Sequence, residues 1–262
     1  MRGARSCASL SMDGLEGNTK TMKPYWHDEL TTLYCGDALQ VLPLLPMADA
    51  IITDPPYGET SLDWDVWPDG WPDVAALVAQ QMWCFGSMRM FLDKRGDLGA
   101  WKLAQDIVWE KHNGSSFHND RFRRVHEFAL HFYLGEWGSL HREVPLVGEE
   151  QRKQNIRRGK TPHLGKQGAA SVIEGQRMMT SVMFAPSCNG YAVNETQKPE
   201  AIVTPLLQYS VPKGGLVIDC FAGSGTTLAV ARKNGRRSIG IEKRESQCRA
   251  IVERLAQHEL AL

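Results

Sequence analysis

The sequence predicts an α/β fold, a mixed and mostly parallel sheet with helices on both faces. The first observation is a strand–helix–strand order over Leu216–Asp219, Thr226–Lys233 and Ser238–Glu242, which predicts parallel pairing of its two strands. The second is a buried-type strand, Ala50–Thr53, that stops abruptly at two adjacent prolines. The third is composition: of 262 residues, 42% are hydrophobic and 23% charged, as in an ordinary globular domain with a full core.

The first predicted elements follow an N-terminal extension. Residues 1–22 are rich in Ser, Gly, Thr and Met and lack periodicity, so we expect them to be disordered and residues 23–262 to form one domain. Leu30–Cys35 is an apolar, β-branched run that predicts a strand, and Ala38–Leu45 predicts a short helix that prolines end.

The central elements are assigned from the periodicity of hydrophobic residues and from the Gly and Pro residues that interrupt it. After Ala50–Thr53 we expect a helix over Val74–Gln81 and strands over Met82–Phe85, Asp106–Glu110 and Val125–Tyr133, the last two in a hairpin. At the carboxyl end, Glu245–Leu260 shows an apolar stripe that predicts a terminal helix.

The stretch 136–190 breaks this pattern. Few aliphatic residues occur there, and within 151–180 seven basic side chains oppose one acid, Glu174. A solvated loop with incidental charge is the ordinary interpretation of such a run. A connection this long inside a compact domain is more often functional or disordered, so the segment is a candidate binding region.

A glycine-bearing loop leaves the strand Leu216–Asp219 and opens the next helix. Gly223 and Gly225 let the backbone pass close to a ligand, and the helix N-terminus favours an anionic group. The loop lacks the third glycine of a dinucleotide site and the Gly-Lys of a phosphate loop. Glu242, 23 residues beyond Asp219, is placed to bind ribose hydroxyls. A ligand with one carboxylate and a ribose fits this pattern, although a plain Gly-rich turn would also produce it.

The tetrapeptide Asp54-Pro55-Pro56-Tyr57 follows a strand, at the sheet edge where α/β proteins bind ligands. Asp54 together with a backbone carbonyl can accept both hydrogens of an exocyclic amine, and Tyr57 can stack on the heterocycle that bears it. The turn therefore predicts a site for an amino-bearing base.

Together these motifs resemble the amino-group DNA methyltransferases that use S-adenosylmethionine (AdoMet). Residues 54–57 match the family's (D/N/S)PP(Y/F) catalytic motif, 221–226 match its FxGxG cofactor loop, and Gln197-Lys198-Pro199 and Gly36-Asp37-Ala38-Leu39 match two shorter elements. The catalytic motif precedes the cofactor loop, which is the order of the family's circularly permuted β group. The resemblance covers roughly residues 30–135 and 190–260 and implies a Rossmann-like methyltransferase domain in which 136–190 is an inserted target-recognition segment.

The resemblance also implies the roles of individual residues. It assigns catalysis and base flipping to Asp54, Pro55, Pro56 and Tyr57. It assigns AdoMet binding to Asp37, Lys198, Asp219, Phe221, Gly223, Ser224, Gly225, Thr226 and Glu242. The recognition slot that the resemblance implies has no matched residues of its own, but it contains the basic run, so we expect DNA contacts from Arg152, Lys153, Arg157, Arg158, Lys160 and Lys166. Lys198 is expected to meet the cofactor carboxylate, and Asp37 either the adenine of the cofactor or, as an alternative, the N-terminus of a helix.

Composition excludes several classes of function. The formal net charge is zero, so bulk charge cannot bind nucleic acid and any DNA contact must be local. No apolar run is long enough to cross a bilayer, and the six cysteines show no metal or disulfide spacing, so we expect free thiols, a cytoplasmic protein and no metal site. Double-stranded DNA is the implied partner; the sequence leaves open a homodimer and a cognate restriction endonuclease.

Three functional alternatives stay open at this point. Aspartate at the first motif position favours the N6 of adenine in this family, whereas serine favours the N4 of cytosine, so adenine is the first hypothesis and cytosine the second. A catalytically silent DNA-binding protein on the same fold is a third, which the intact Asp54 and Tyr57 disfavour. Methylation of a protein glutamine is disfavoured because that motif begins with asparagine.

Overall fold

The computed structural model describes residues 22–115, 120–148, 177–188 and 197–259. Its strands are β1 (Trp26–His27), β2 (Thr31–Cys35), β3 (Ala50–Thr53), β4 (Gln81–Gly86), β5 (Lys102–Ser115), β6 (Arg124–Tyr133), β7 (Leu146–Val147), β8 (Arg177–Met178), β9 (Val182–Phe184), β10 (Leu216–Asp219) and β11 (Arg237–Glu242). Its α-helices are α1 (Ala38–Val41), α2 (Trp71–Ala75), α3 (Met88–Asp93), α4 (Glu200–Ser210), α5 (Thr226–Lys233) and α6 (Glu245–Glu259), and 3₁₀ turns cover Leu42–Leu44 and Trp137–Ser139.

The main sheet has the strand order β1-β2-β11-β10-β3-β4-β6-β5-β9. Strands β2, β11, β10, β3 and β4 pair in parallel, β6 runs antiparallel between β4 and β5, and β9 pairs in parallel with β5. The expected mixed, mostly parallel sheet is therefore confirmed, as is the hairpin of β5 and β6.

Both faces of the sheet are covered because alternate residues of its buried strands point to opposite sides. Ile51 packs in one core with α1, α2 and α3, whereas its neighbours Ala50 and Ile52 pack in another with α4 and α5. A third core around Leu228 and Ile251 joins α5 and α6 to β2. Helices on both faces are thus confirmed, and this layering holds the strand ends in fixed positions.

The chain reverses its direction of travel across the sheet between β10 and β3. From β10 it continues through α5 to β11 on one side, and from β3 it continues through α2 to β4 on the other. The carboxyl ends of two such neighbouring strands diverge into a crevice, the usual ligand site of open α/β sheets. Asp219 and Asp54 lie at these two ends.

Some element boundaries differ from the sequence predictions. The helix expected over Val74–Gln81 lies earlier, at Trp71–Ala75, because Pro72 occupies its first turn, and Gln81 already begins β4. Helix α3 was not predicted, although Ser87 caps it by accepting a hydrogen bond from the Met90 N–H at 3.0 Å. Helix α4 was not predicted either: it contains Pro205, and burial of its apolar face offsets the lost hydrogen bond.

The two terminal regions of the predicted recognition segment are partly described. Its first residues form the 3₁₀ turn and β7, and its last form β8 and β9, with β7 and β8 paired antiparallel. Residues 149–176, which lie between β7 and β8 in the sequence, are outside the described residues, as are most of the predicted N-terminal extension and residues 189–196. Within the described ranges no helix has the length and apolarity needed to span a membrane.

Candidate active site

The two predicted motifs meet in one cavity of about 990 Å³ at the carboxyl edge of the sheet. The cavity is lined by all four residues of the catalytic turn, Asp54, Pro55, Pro56 and Tyr57, and by eight of the predicted cofactor residues, Asp37, Lys198, Asp219, Phe221, Gly223, Ser224, Thr226 and Glu242. The turn at Asp54–Tyr57 and the glycine loop that begins after Asp219 are more than 160 positions apart in the chain. The parallel pairing of β3 and β10 brings these two motifs together.

A hydrogen bond ties the two strand ends. The Thr53 hydroxyl donates to Asp219 Oδ1 at 2.9 Å, and the Phe221 N–H donates to the same oxygen at 3.2 Å. Burial raises the pKa of Asp219, whereas the hydrogen bonds from Thr53 and Phe221 lower it. The net result is a raised pKa of about 6. Asp219 therefore holds the start of the glycine loop against the strand that carries Asp54.

Asp54 carries one engaged and one unengaged carboxylate oxygen. Oδ2 accepts from the Lys198 ammonium, whereas Oδ1 is buried and has no hydrogen-bond partner among the described residues. Burial raises the pKa of Asp54, and the positive charge of Lys198 opposes that rise. A buried acceptor without a partner costs free energy, so this atom is suited to a donor that arrives with a ligand.

Lys198 lies on the catalytic side of the cavity. Its ammonium pairs with Asp54 and stands 3.5 Å from Glu127 Oε2, while Glu127 also accepts from Lys111. Burial lowers the pKa of Lys198, but the two carboxylates outweigh this and raise it above its usual value. The sequence analysis placed this side chain at the cofactor carboxylate; its described contacts include Asp54, Glu127 and the Phe85 ring, whose centroid lies 5.5 Å from the ammonium.

Glu127 and Lys111 extend the charged cluster and come from the hairpin β5–β6. Burial raises the pKa of Glu127, yet Lys198 and Lys111 together hold it below its usual value. The Lys111 ammonium also lies 4.4 Å from the ring centroid of Trp109. Four alternating charges, Asp54, Lys198, Glu127 and Lys111, thus line the inner wall of the cavity.

Asp65 supports the predicted catalytic turn, and the sequence analysis did not identify it. This buried carboxylate accepts from the N–H groups of Tyr57, Gly58 and Thr60 at 2.7 to 2.9 Å and from the Thr60 hydroxyl at 2.7 Å. Burial raises its pKa, but the four hydrogen bonds prevail and lower it. Asp65 therefore clamps the chain that follows the predicted catalytic turn, a role that no local motif indicates because Asp65 lies eight positions beyond Tyr57.

The glycine loop adopts left-handed backbone at Gly223 (φ 51°) and Gly225 (φ 74°). The Gly223 N–H donates to Glu242 Oε2 at 3.0 Å, and the Arg244 N–H donates to Glu242 Oε1 at 2.9 Å. Glu242 is buried at the end of β11 and lines the cavity. Gly225 is absent from the cavity wall: it precedes α5, with Ile251 of α6 directly behind it.

Arg254 of α6 supports the loop from behind and was also missed. Its guanidinium donates to the Ser224 carbonyl at 2.9 Å and to the Thr226 hydroxyl at 3.0 Å, and it is 9% exposed. Ser224 and Thr226 share a hydrogen bond of 3.1 Å between their hydroxyls. A buried charge that reaches across from another helix carries no sequence signal at the loop itself.

Asp37 has the helix-capping role that the sequence analysis kept as the alternative. Its Oδ1 accepts from the Leu39 N–H at 3.0 Å at the start of α1, and its Oδ2 lies 3.0 Å from Lys243 Nζ. Burial raises the pKa of Asp37, but Lys243 and the Leu39 N–H outweigh it and lower the pKa. The carboxylate also lines the cavity, so capping does not remove it from the site.

The predicted DNA-contacting residues fall in the segment between β7 and β8. Arg152, Lys153, Arg157, Arg158, Lys160 and Lys166 all lie outside the described residues. Their role stays a prediction from the sequence.

Comparison with known proteins bears on the whole chain. A family model described as "DNA methylase", of the N6/N4 methyltransferases, matches residues 48–253. The Type II methyltransferase M.ScaI of Streptomyces caespitosus is 26% identical over 89% of this chain and 84% of its own length. The Type II methyltransferase M.HinfI of Haemophilus influenzae is also 26% identical, over 90% of this chain and 71% of its own.

Solved structures share the fold at lower identity. The M1.HpyAVI–SAM complex superposes with a TM-score of 0.59 at 22% identity and covers 86% of this chain and 99% of that one. The cytosine-N4-specific PvuII DNA methyltransferase superposes with a TM-score of 0.60 at 15% identity and covers 88% of each chain. These likenesses confirm a Rossmann-like methyltransferase fold.

Proposed function

The chain belongs to the N6/N4 DNA methylase family, and from that premise we propose that it methylates the exocyclic N6 of adenine in double-stranded DNA. It is an AdoMet-dependent DNA methyltransferase; which amino group it methylates is the proposal. The single observation that carries the chemistry is Asp54, whose buried Oδ1 has no hydrogen-bond partner within the described ranges and lies beside Tyr57 in the cavity of the glycine loop. An amine that enters this cavity would supply the missing donor.

The residues present fit AdoMet. The cavity, about 990 Å³, is at the upper end of the range for small-molecule sites, with room for a nucleoside cofactor beside a base. The loop around Gly223 approaches the cavity without a side chain, and the Glu242 carboxylate stands at the strand end suited to ribose hydroxyls. Gly223, Ser224, Thr226 and Glu242 would therefore hold the cofactor, with Asp37 at the neighbouring strand end.

When bound, AdoMet supplies an electrophilic methyl group on a sulfonium. The work of the protein is then to orient a poor nucleophile, because the lone pair of an aromatic amine is delocalised into its ring. A hydrogen bond from the amine to Asp54 Oδ1 would favour a pyramidal nitrogen and stabilise the positive charge that develops on it. The target nitrogen cannot be reached inside a duplex, so the base must leave the stack, and Tyr57 would stack on it.

Lys198 favours the ionised form of Asp54, the form that can accept a hydrogen bond from the amine. Its ammonium occupies Oδ2 and favours the ionised carboxylate, so Oδ1 is left as an acceptor. Asp65 keeps Tyr57 in register with this carboxylate through the backbone. Orientation and charge, rather than a covalent intermediate, are the contributions that we assign to these side chains.

Adenine is proposed over cytosine because aspartate occupies the first position of the motif. The matched family includes both specificities, and one fold neighbour acts on the N4 of cytosine. We also propose that residues 136–190 recognise the target sequence, that the chain belongs to the permuted β group, and that it acts in the cytoplasm of a bacterial or phage-infected cell.

The deciding experiment is incubation of the protein with methyl-labelled AdoMet and plasmid DNA of mixed sequence, followed by nucleoside mass spectrometry. We expect labelled N6-methyladenine, and none with the Asp54→Ala variant run in parallel. If the label is found in N4-methylcytosine instead, the target is cytosine, the second candidate. A wild-type protein that binds AdoMet and DNA but labels neither would indicate a silent member of the family.

A further inference from the structure

The hairpin β5–β6 carries an unusual tip beside the mouth of the cavity. Arg121, Phe122, Arg123 and Arg124 follow one another there, and we call these residues the hairpin tip. The Phe122 side chain is 102% exposed and so contacts nothing in the described protein, and the Arg121 side chain is 63% exposed. A free phenyl ring between arginines offers both a stacking surface and positive charge.

The register of the sheet places the tip above the catalytic edge. Phe128 of β6 pairs with Gly86, the last residue of β4, and β6 runs antiparallel to it. Arg124, four residues earlier in β6, therefore lies roughly 13 Å beyond the carboxyl edge at about 3.3 Å per residue. Glu127, between them, lines the active-site cavity, so the tip projects over its mouth.

A contact ties the tip to Glu59, two residues beyond the predicted catalytic turn. Arg124 Nη1 lies 3.2 Å from Glu59 Oε2, and Glu59 also accepts from the Ser87 hydroxyl. A second cavity of about 420 Å³ extends from Tyr57 to Arg121 and is lined also by Arg89 and Lys94. Four basic residues and two acidic ones, Glu59 and Asp93, line this cavity, so a wall with a net positive charge continues outwards from the residue proposed to stack on the target base.

The charge of this wall is available to a polyanion. Two ion pairs of this wall, Arg121 with Asp120 and Arg89 with Asp93, are more than half exposed on both sides, whereas Arg124 and Glu59 are 43% and 21% exposed. Exposed pairs of this kind contribute little, so phosphate oxygens can replace the carboxylates. Because the protein as a whole has zero net charge, a local excess of arginine and lysine at the mouth of the site is a specific feature.

We infer that the hairpin tip docks on the DNA duplex next to the target nucleotide: Arg121 and Arg123 contact backbone phosphates, and Phe122 stacks on a base beside the extruded one. Aromatic side chains stack on bases of any sequence, and apolar side chains inserted between base steps unstack them. The tip therefore assists extrusion, whereas the predicted recognition segment reads sequence. This inference rests on the proposed function and adds a second DNA-contacting surface to it.

The phosphate contacts are tested with the variant Arg121→Ala/Arg123→Ala, which keeps Arg124 and its pair with Glu59. Binding of mixed-sequence duplex DNA is measured over a range of salt concentrations. The magnitude of the log–log salt slope should fall by about 0.9 for each phosphate that is no longer neutralised. The control Lys213→Ala/Arg237→Ala removes two exposed charges at the opposite edge of the sheet and should leave the slope unchanged.

The stacking role is tested with Phe122→Ala on a short duplex that contains the mapped methylation site and 2-aminopurine at the target position. We expect the fluorescence rise of the extruded base to shrink and affinity to fall about fivefold or more, while AdoMet affinity is unchanged. The control Leu77→Ala truncates another exposed apolar side chain, 62% exposed, and should have no effect.

Two results would overturn the inference. One is a wild-type salt slope and wild-type fluorescence in both tip variants. The other is a change in oligomeric state without a change in DNA binding, which would make the tip a contact between copies of the chain. Failure of the proposed function is distinct from both, because the wild-type protein would then transfer no methyl group to DNA at all.

Discussion

At the scale of single residues, Asp54 is the side chain on which methyl transfer should depend. Asp54→Ala removes the acceptor that stabilises charge developing on the amine, so turnover should fall at least about 100-fold. AdoMet affinity should stay within a few-fold, because the described contacts of Asp54 are with Lys198 rather than with the glycine loop. Single-turnover methyl transfer and calorimetry measure the two quantities. Asp106→Ala, an exposed aspartate on β5, is the control, and activity within threefold of wild type would remove Asp54 from the mechanism.

Lys198 is expected to control the pH dependence. Burial raises the pKa of Asp54 and Lys198 counteracts it, so Lys198→Met should raise that pKa further. Asp54 then keeps its proton to higher pH, and the acid limb of the kcat/KM profile should move up by about one pH unit or more. Lys198→Arg keeps the charge and should restore most of the wild-type profile.

The same variant separates two roles of the lysine. A loss of AdoMet affinity in Lys198→Met with an unmoved acid limb would place this side chain at the cofactor carboxylate, as the sequence analysis expected. Wild-type AdoMet affinity with a moved limb would place it at Asp54.

At the scale of elements, Asp65 determines the shape of the segment after the catalytic turn. Asp65→Ala leaves three backbone N–H groups without their acceptor, so the free energy of unfolding should fall by about 2 kcal/mol or more at neutral pH. The pKa of Asp65 is lowered in the folded state, so this contribution is complete above its unfolded value and disappears in acid. Urea unfolding at neutral and acidic pH measures it. The clamp would be contradicted if Asp65→Ala lowered the free energy of unfolding equally at both pH values. It would also be contradicted if the exposed control Asp69→Ala lowered that free energy by the same amount.

The glycine loop offers a matched pair of variants. Gly225 and Gly235 both have left-handed φ angles, but a Cβ on Gly225 would stand 2.9 Å from Ile251 Cγ2, whereas one on Gly235 meets nothing within 4 Å. Gly235→Ala should therefore lose about 1 kcal/mol of stability from backbone strain alone, and Gly225→Ala a further ~1 kcal/mol or more from overpacking. Only Gly225→Ala should also weaken AdoMet binding, because a shift of the loop at Gly225 displaces its neighbours Ser224 and Thr226, which line the cavity. If Gly225→Ala and Gly235→Ala unfold at the same urea concentration, α6 shifts to make room for the added methyl group and the overpacking argument is wrong.

At the scale of the whole molecule, neutrality makes DNA binding a local property. Arg157→Ala/Arg158→Ala should reduce the magnitude of the salt slope by about 0.9 for each phosphate that these arginines neutralise and leave AdoMet affinity in the absence of DNA unchanged. If one arginine reads a guanine edge instead, discrimination at one position should relax by about 1–3 kcal/mol while the slope is nearly constant. If the DNA affinity, the salt slope and the site preference are all unchanged, the basic segment 151–180 is only a solvated loop.

Local sequence determined much of this protein. The strand Ala50–Thr53, the strand Leu216–Asp219 and the helix Thr226–Lys233 have the predicted bounds, because their apolar runs and their Pro or Gly boundaries are local signals. Two short motifs that follow strands, together with two shorter elements and the order of all four, indicated the family and the cofactor. Both motifs carry their chemistry within a few consecutive residues.

Tertiary structure alone decided how those motifs are supported. The bond from Thr53 to Asp219, the position of Lys198 against Asp54, and the loop contacts of Arg254 join residues 28 to 166 positions apart. Helix α4 formed despite Pro205 because burial of its apolar face against the sheet outweighs local propensity. Charge pairing and burial depend on distances in space, and no spacing along the chain specifies these distances until the strands have paired.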